Sequence, residues 1–243
     1  MAGTALLGRL DWYVATVAER RQETQTAWTL VLTVPNWPGH EAGQHVDVRL
    51  RAQDGYTAVR SYSIASAAGG EHLELTIEQL PDGEVSPYLA QTIAIGDPLG
   101  LRGPVGGWFV WGPTSNDPVQ LFAGGSGIVP LIAMVRTRAQ SGLRTPFHLL
   151  YSVRAPESII YASELRRRAT EDDGLVVTYA YTRKTPADWP TPPHRVDAGS
   201  IAESAFRVSE NPLSFVCGPT PFVETVAKLL AQAGYDSSRI KTE

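Results

Sequence analysis

The sequence predicts two domains: an N-terminal antiparallel β-barrel over residues 1–113 and a C-terminal α/β domain with a parallel sheet over residues 119–243. Three observations carry this expectation. The first half is a series of short segments rich in Val, Leu, Ile, Thr and aromatics, partly alternating and separated by turn formers. Residues 113–118, Pro-Thr-Ser-Asn-Asp-Pro, then carry no hydrophobic side chain and mark the boundary. Beyond them the order becomes apolar strand, glycine turn, helix, which is the pattern of parallel strands covered on both faces.

In the first domain strands are expected at 12–19, 27–34, 45–51, 59–64 and 72–78, with turns at Pro35-Asn36, 53–55 and 69–70. About five or six such strands in so short a stretch suggest closure into a barrel. A short helix at 85–91 interrupts them. In the second domain strands at 119–123, 147–153, 175–182 and 213–217 alternate with helices at 128–140, 158–170 and 221–233. A loop carrying Pro186, Pro190, Pro192 and Pro193 follows the third strand. There is no internal repeat and no low-complexity tract.

Composition removes several function classes. Lys plus Arg number 21 against 25 Asp plus Glu, a formal charge of -4, which argues against a nucleic-acid or anionic-membrane surface as the main role. Cys217 is the only cysteine, so an intrachain disulfide, a zinc ribbon and a cysteine-ligated iron–sulfur cluster are all excluded. The five histidines (His40, His45, His72, His148, His194) show no pair at metal-ligand spacing, and no metal is expected. No apolar run approaches the roughly 20 residues that cross a bilayer. The opening MAGTALLGRLDW does not read as a signal peptide. A soluble, cytoplasmic protein is the expectation.

Four motifs carry chemistry. Arg60-Ser61-Tyr62-Ser63-Ile64-Ala65-Ser66 ends a barrel strand, and period two puts Arg60 and Tyr62 on one face. A guanidinium can hold a phosphate through paired hydrogen bonds, and a phenol ring can stack on a flat heterocycle. An exposed Arg beside a half-buried Tyr is also what an ordinary strand presents. Gly83-Glu84-Val85-Ser86-Pro87 precedes the short helix, where backbone N–H groups attract a phosphate. Ser86 before Pro87 equally reads as an N-cap with Pro at N1.

Gly124-Gly125-Ser126-Gly127-Ile128 follows a buried strand and opens a helix, the context of a phosphate-binding turn. It is neither G-x-G-x-x-G, since position 129 is Val, nor a nucleophile elbow, since position 128 is Ile. Cys217-Gly218-Pro219 ends the last expected strand, at the carboxyl edge where ligands bind in such sheets.

Taken in order, R-x-Y-S-x-x-S, G-x-x-S, G-P-x-G (Gly103-Pro104-Val105-Gly106), G-G-x-G-x-x-P and C-G-P resemble the ferredoxin–NADP reductase superfamily, most closely its bacterial oxygenase-reductase branch. The resemblance runs over nearly the whole chain. It implies a flavin-binding barrel, a nicotinamide nucleotide-binding α/β domain, and hydride transfer between the two cofactors. Arg60 would hold a flavin phosphate, Tyr62 would stack on the ring and Ser63 would sit near flavin N5. Ile64 and Ser66 would complete that strand's cofactor contacts, and Gly83, Val85 and Ser86 would meet the pyrophosphate. Gly124, Gly125, Gly127 and Ile128 would admit the nicotinamide nucleotide closely. Cys217, with Gly218 and Pro219, would lie near the nicotinamide, and Glu243 matches the acidic residue found near the family's C-terminus. Ser63, Cys217 and Glu243 are the expected catalytic positions.

FAD is the first choice of flavin and FMN the second, since such motifs occur with both. Ser152 and Arg154 end the second strand of the α/β domain, where Arg accommodates a 2′-phosphate and an acid would favour a 2′-hydroxyl. With Thr182 and Arg183 beside them, NADPH is expected ahead of NADH. With one cysteine, the family's fused ferredoxin domain is not expected. Electrons would leave to a separate acceptor such as a ferredoxin, an oxygenase or another redox protein. Relatives also place an aromatic near the C-terminus, and none follows Tyr235 here. A free-flavin or ferric reductase, and a non-catalytic electron-transfer or regulatory subunit, are the alternatives.

Overall fold

The computed structural model describes residues 11–51, 55–69, 72–80, 82–114 and 116–243. The expected turns at 53–55 and 69–70 fall partly outside the described residues, and the opening segment read for a signal peptide falls mostly outside them.

Six strands form the first sheet: β1 (Trp12–Gln22), β2 (Ala27–Thr33), β3 (His45–Arg51), β4 (Thr57–Ser63), β5 (Leu73–Glu78) and β6 (Pro98–Val105). Their order is β4-β3-β6-β1-β2-β5 with every pair antiparallel. A bridge between Ile64 and Leu75 joins the two edges and closes the barrel. Alternation sends Val17, Leu30, Val46, Leu75 and Leu101 inward, each at most 1% exposed.

The strand that completes the barrel, β6, was not among those expected. Its sequence, PLGLRGPV, holds two glycines and two prolines in 8 residues, which reads as a loop. Leu99 and Leu101 nonetheless bury at 1% and 0% exposure, and both neighbours supply ladder bonds. The helix expected at 85–91 is a π-helical turn, Tyr88–Thr92, with Leu89 and Ala90 inside. Ser86 makes no cap for it: its Oγ instead accepts the Leu80 N–H at 3.0 Å, closing the preceding turn.

The second sheet is parallel, in the order β11 (Ile240–Thr242), β10 (Leu213–Cys217), β7 (Val119–Gly124), β8 (Phe147–Val153) and β9 (Leu175–Tyr181). Helices α1 (Ile128–Ser141) and α2 (Ala162–Glu171) cover one face, and α3 (Ala198–Ser204) and α4 (Thr220–Gln232) the other. Every residue of β7 is buried, as a central strand covered on both sides must be. Helix α2 starts later than 158 because 156–158 is a 3₁₀ turn and Tyr161 takes a left-handed φ of 61°.

Helix α1 fixes how the domains meet. Its first two turns are apolar on every side, with Ile128 through Val135 buried. One side packs on β7 and β10, and the same cluster takes in Ala27, Ala42, Ala65, Phe109 and Trp111 from the barrel and the segment leaving it. A helix that serves two domains leaves little freedom between them. Among the described residues no helix is long and apolar enough to cross a membrane. None of their His, Cys, Asp and Glu side chains gather in a group of three or more that could hold a metal ion.

Candidate functional site

The barrel's contribution starts at β4. Its register pairs Tyr62 with Val46 and Arg60 with Val48, so both side chains share the face of those two buried valines. Arg60 is exposed and reaches Glu84 at 3.2 Å, which brings the first two motifs together across 24 residues of chain. Tyr62 is half-buried against the barrel core. Burial pushes its phenol up to about 12, against the pull of the Arg60 charge, so the ring stays neutral in the physiological range. Ser63 ends the strand opposite His45.

The other expected positions here are built differently. Ile64 and Val85 are 0% and 1% exposed and pack in the barrel core. Ser66 is buried, its Oγ accepting the Glu74 N–H at 3.1 Å, and Ser86 Oγ is taken by Leu80. Ile64 and Val85 can offer a ligand only backbone, whereas each serine hydroxyl keeps a hydrogen to donate. Gly83 is required by the turn itself, since a Cβ there would stand 2.7 Å from Ser86 Oγ. An exposed guanidinium and a neutral phenol on one strand face fit a flavin nucleotide, while Ser63, opposite His45, lies on the other face of β4.

The α/β domain opens a cleft of ≈ 700 Å³ at the carboxyl edge of its sheet. Ends of β7, β8 and β9 line it with Gly124, Gly125, Ser152, Arg154, Thr182 and Arg183, and Pro219 joins them from the end of β10. The two arginines emerge side by side, because Thr182 N–H donates to Val153 O at 2.9 Å and Arg183 N–H to Arg154 O at 3.0 Å.

Sequence reasoning missed Arg195, which also lines the cleft. It follows the proline-rich loop, and only the bond from His194 N–H to Tyr181 O carries it back to β9. Among the described residues, Arg154, Arg183 and Arg195 make no side-chain hydrogen bond or ion pair, whereas Lys184 nearby is paired with Glu157 at 3.4 Å. Thr24, Gln25, Thr26 and Glu78 of the barrel form the opposite wall. Nothing in their local sequence marks them.

The glycines of the third motif divide by role. Gly125, at φ 54°, has nothing within 4 Å of where a Cβ would stand and borders the open cleft. Gly127 serves packing, since its Cβ would lie 2.2 Å from the Cys217 carbonyl oxygen. The turn after β7 and the turn after β10 are pressed together there. Ile128 behind it is fully buried.

Cys217 is 8% exposed, and burial, assisted by the Glu243 carboxylate, pushes its thiol up to about 12. It therefore stays protonated and is no nucleophile. Glu243 is placed beside it by its N–H, which donates to Val216 O at 3.0 Å. Across the domain seam Glu243 Oε1 lies 3.6 Å from His45 Nδ1 on β3.

The Glu243 carboxylate raises the imidazole's pKa above its ordinary value, although burial opposes it, and Asp47 adds a smaller pull. A raised histidine stabilises the folded state below the unfolded pKa and loses that contribution as pH rises through the folded one. The expected result is an imidazole NMR titration of His45 above about 6.5 that returns toward that value in Glu243→Gln. An unchanged midpoint in the variant would show that the pair does not form.

Two family models cover most of the chain: an oxidoreductase FAD-binding domain over residues 15–110 and an oxidoreductase NAD-binding domain over residues 121–228. A flavohemoprotein of Rhodopirellula baltica is 27% identical over 223 residues, 85% of this chain but 53% of that protein, so the chain spans about half its length. An NADH-cytochrome b5 reductase 1 of Aspergillus terreus is 31% identical over 209 residues, 83% of this chain and 70% of the relative. The solved FAD/NAD-binding domain of a nitric oxide dioxygenase from Vibrio cholerae superposes with a TM-score of 0.84 at 23% identity, over 95% of this chain and 97% of that one.

Proposed function

We propose, given that this chain belongs to the ferredoxin reductase family of FAD- and NAD-binding oxidoreductases, that it oxidises NADPH and passes the electrons through FAD to a separate redox protein. The observation that carries the NADPH part is the group of three unpartnered arginines, Arg154, Arg183 and Arg195, bordering one cleft. A 2′-phosphate would supply an anion for these cations, which a 2′-hydroxyl does not.

A bound FAD would supply hydride acceptance and one-electron release. The chain's own residues bind and orient. Arg60 holds a flavin phosphate, with Glu84 keeping its guanidinium beside the 83–86 turn. Tyr62 offers a neutral ring face, and the Ser63 hydroxyl offers a donor to the flavin edge. Gly125 lets the nucleotide approach the backbone. Cys217 contributes a neutral, compact thiol at the sheet edge, and Glu243 a carboxylate beside it. The relative whose name carries cytochrome b5 is consistent with an acceptor that is a protein.

The test is anaerobic stopped-flow reduction of the yellow, FAD-loaded protein. NADPH should bleach the flavin with a higher kcat/KM in turnover than NADH. Loss of one charge-assisted contact costs about 1.5–3 kcal/mol, so Arg154→Ala should lower kcat/KM for NADPH roughly 10- to 100-fold and leave NADH nearly unchanged. Equal efficiency with the two nucleotides, or an Arg154→Ala enzyme that keeps its NADPH efficiency, rules the preference out. No bleaching by either nucleotide rules out the reductase.

A further inference from the structure

The cleft at the carboxyl edge of the parallel sheet carries unlike charge on its two walls. The α/β domain presents Arg154, Arg183 and Arg195, and the barrel presents Glu78. Glu78 is the last residue of β5, and period two puts it on the outer face of that strand with Glu74 and Thr76. Those two are consumed at the joint between the domains. Glu74 Oε2 accepts from Arg136 at 2.9 Å and pairs with Arg21 at 2.8 Å. Thr76 Oγ1 is bonded to Thr29 Oγ1 at 2.7 Å and to the Tyr161 hydroxyl.

Glu78 lies one step past that joint. It is half-buried, and its carboxylate makes no hydrogen bond or ion pair among the described residues. The other carboxylate of the lining, Glu157, is paired with Lys184 at 3.4 Å. The backbone around Glu78 is firmly held. It pairs with Ala27 across the β2–β5 ladder, and the Gln79 N–H donates to Thr26 O at 2.8 Å. Thr24 Oγ1 closes the hairpin tip by accepting the Thr26 and Ala27 N–H groups at 3.2 and 3.0 Å. Gln25 stands exposed at that tip on the same wall, its amide also unpaired among the described residues.

A carboxylate only accepts hydrogen bonds, so the ligand group it selects is a donor. Neither Cys217 nor Glu243, the positions assigned to the nicotinamide end, lines this cleft. The half of the nucleotide that fills it is then the adenosine half. Its phosphates are drawn to the arginines and repelled by Glu78. What is left to face the barrel wall is the base, and adenine offers an exocyclic amine as donor beside ring nitrogens as acceptors. Glu78 matches the amine, and the Gln25 amide can donate to a ring nitrogen.

We propose that Glu78 reads the adenine base of the nicotinamide nucleotide by accepting a hydrogen bond from its exocyclic amine. The inference rests on the reductase reading and deepens it, by naming a residue that sets base specificity in the same cleft. The barrel thereby takes part in choosing the electron donor as well as in holding the flavin.

The test is calorimetric titration of the FAD-loaded protein with oxidised NADP and with its deamino analogue, in which hypoxanthine replaces adenine. A carbonyl oxygen then stands where the amine was. Losing one hydrogen bond to a charged group should weaken binding of the analogue to the wild type about 10- to 100-fold. Glu78→Gln carries an amide that can accept from the amine or donate to the carbonyl, so the ratio should fall to about threefold or less. Glu78→Asp keeps the charge but withdraws it by one methylene, and should lower the ratio as well. Arg154→Ala should weaken both nucleotides and leave their ratio at the wild-type value. NAD and deamino-NAD, titrated in the same way, give the ratio without a 2′-phosphate.

Flavin bleaching by NADPH is recorded on each protein. Equal wild-type affinity for the amino and deamino nucleotides, or a ratio that both Glu78 variants leave unchanged, overturns the assignment and leaves the reductase standing wherever bleaching persists. No bleaching and no nucleotide binding overturns the reductase and the assignment together.

Discussion

Gly127→Ala is expected to unfold the α/β domain at a markedly lower temperature than the wild type. Its Cβ would stand 2.2 Å from the Cys217 carbonyl oxygen, 2.4 Å from the carbonyl carbon and 2.6 Å from Gly218 N. All three are backbone atoms, so no rotamer change relieves the clash. Gly218 is pressed from the other side, where a Cβ would lie 2.9 Å from Gly124 O.

The turns after β7 and β10 must therefore separate, and with them the strand ends that shape the nucleotide cleft. Overpacking against side chains costs about 1–3 kcal/mol. Against two fixed backbones the loss should reach at least about 3 kcal/mol, a fall in Tm on the order of 10 °C for a protein of this size. Gly125→Ala is the control. It meets no atom within 4 Å and carries only the strain of φ 54°, about 1–2 kcal/mol, so it should fold while narrowing the cleft. Melting curves followed by circular dichroism separate the two, and a Gly127→Ala protein melting within about 2 °C of wild type would refute the packing argument.

Removing Arg136 should cost nearly as much, through the joint between the domains. From α1 its guanidinium donates to Ala65 O at 2.9 Å and Glu74 Oε2 at 2.9 Å in the barrel. It also donates to both oxygens of Glu164 on α2, at 3.0 and 2.6 Å. Glu164 takes a further bond from Arg168 at 2.7 Å, and Glu74 one from Arg21 at 2.8 Å. The Arg136 side chain is 12% exposed and lies over the Tyr161 ring, whose hydroxyl is hydrogen-bonded to Thr76 of the barrel.

Arg136→Met keeps the aliphatic stem but leaves two part-buried carboxylates short of a cation. Breaking such a network from one side typically costs about 3–5 kcal/mol. The acid limb provides an independent check. Burial pushes the Glu164 carboxyl up, and the Arg136 and Arg168 guanidiniums more than reverse it, leaving it at about 2. A depressed carboxylate stabilises the fold above its unfolded pKa of 4.5 and loses that contribution as pH falls through about 2. The wild type should therefore lose stability between roughly pH 5 and 2, and Arg136→Met should show less of that slope. Denaturant unfolding at pH 7 and pH 3 measures both effects. A variant within about 1 kcal/mol of wild type at pH 7 would mean that the apolar α1 contacts alone hold the domains.

The cleft's arginines differ in how far local sequence places them. Arg154 and Arg183 stand at strand ends that alternation and apolar runs place in advance, so their position beside the cleft was readable. Arg195 was not, because a loop with four prolines separates it from β9 in sequence and only backbone bonds at Tyr181 return it. His45 opposite Glu243 is a similar case: the two are at opposite ends of the chain and meet across a seam between domains.

Some residues read as cofactor contacts turned out to have their side chains engaged elsewhere. Ile64 and Val85 sit in the barrel core, and the hydroxyls of Ser66 and Ser86 close turns. A motif's spacing carries no information on which of its side chains the fold consumes internally.

Residue order alone determined the two-domain division of labour, since period-two alternation and strand–glycine–helix runs are local patterns that local sterics impose. It also determined the family, through motifs whose spacing does not depend on how the domains dock. The tertiary structure decided the rest. Strand β6, with its glycines and prolines, is a strand because β1 and β3 supply its hydrogen bonds. Gly127 is a packing glycine because the turn after β10 lies against it. Each of these is a contact between segments far apart in the chain, and the free energy of such contacts is set by neighbours that no sequence window contains.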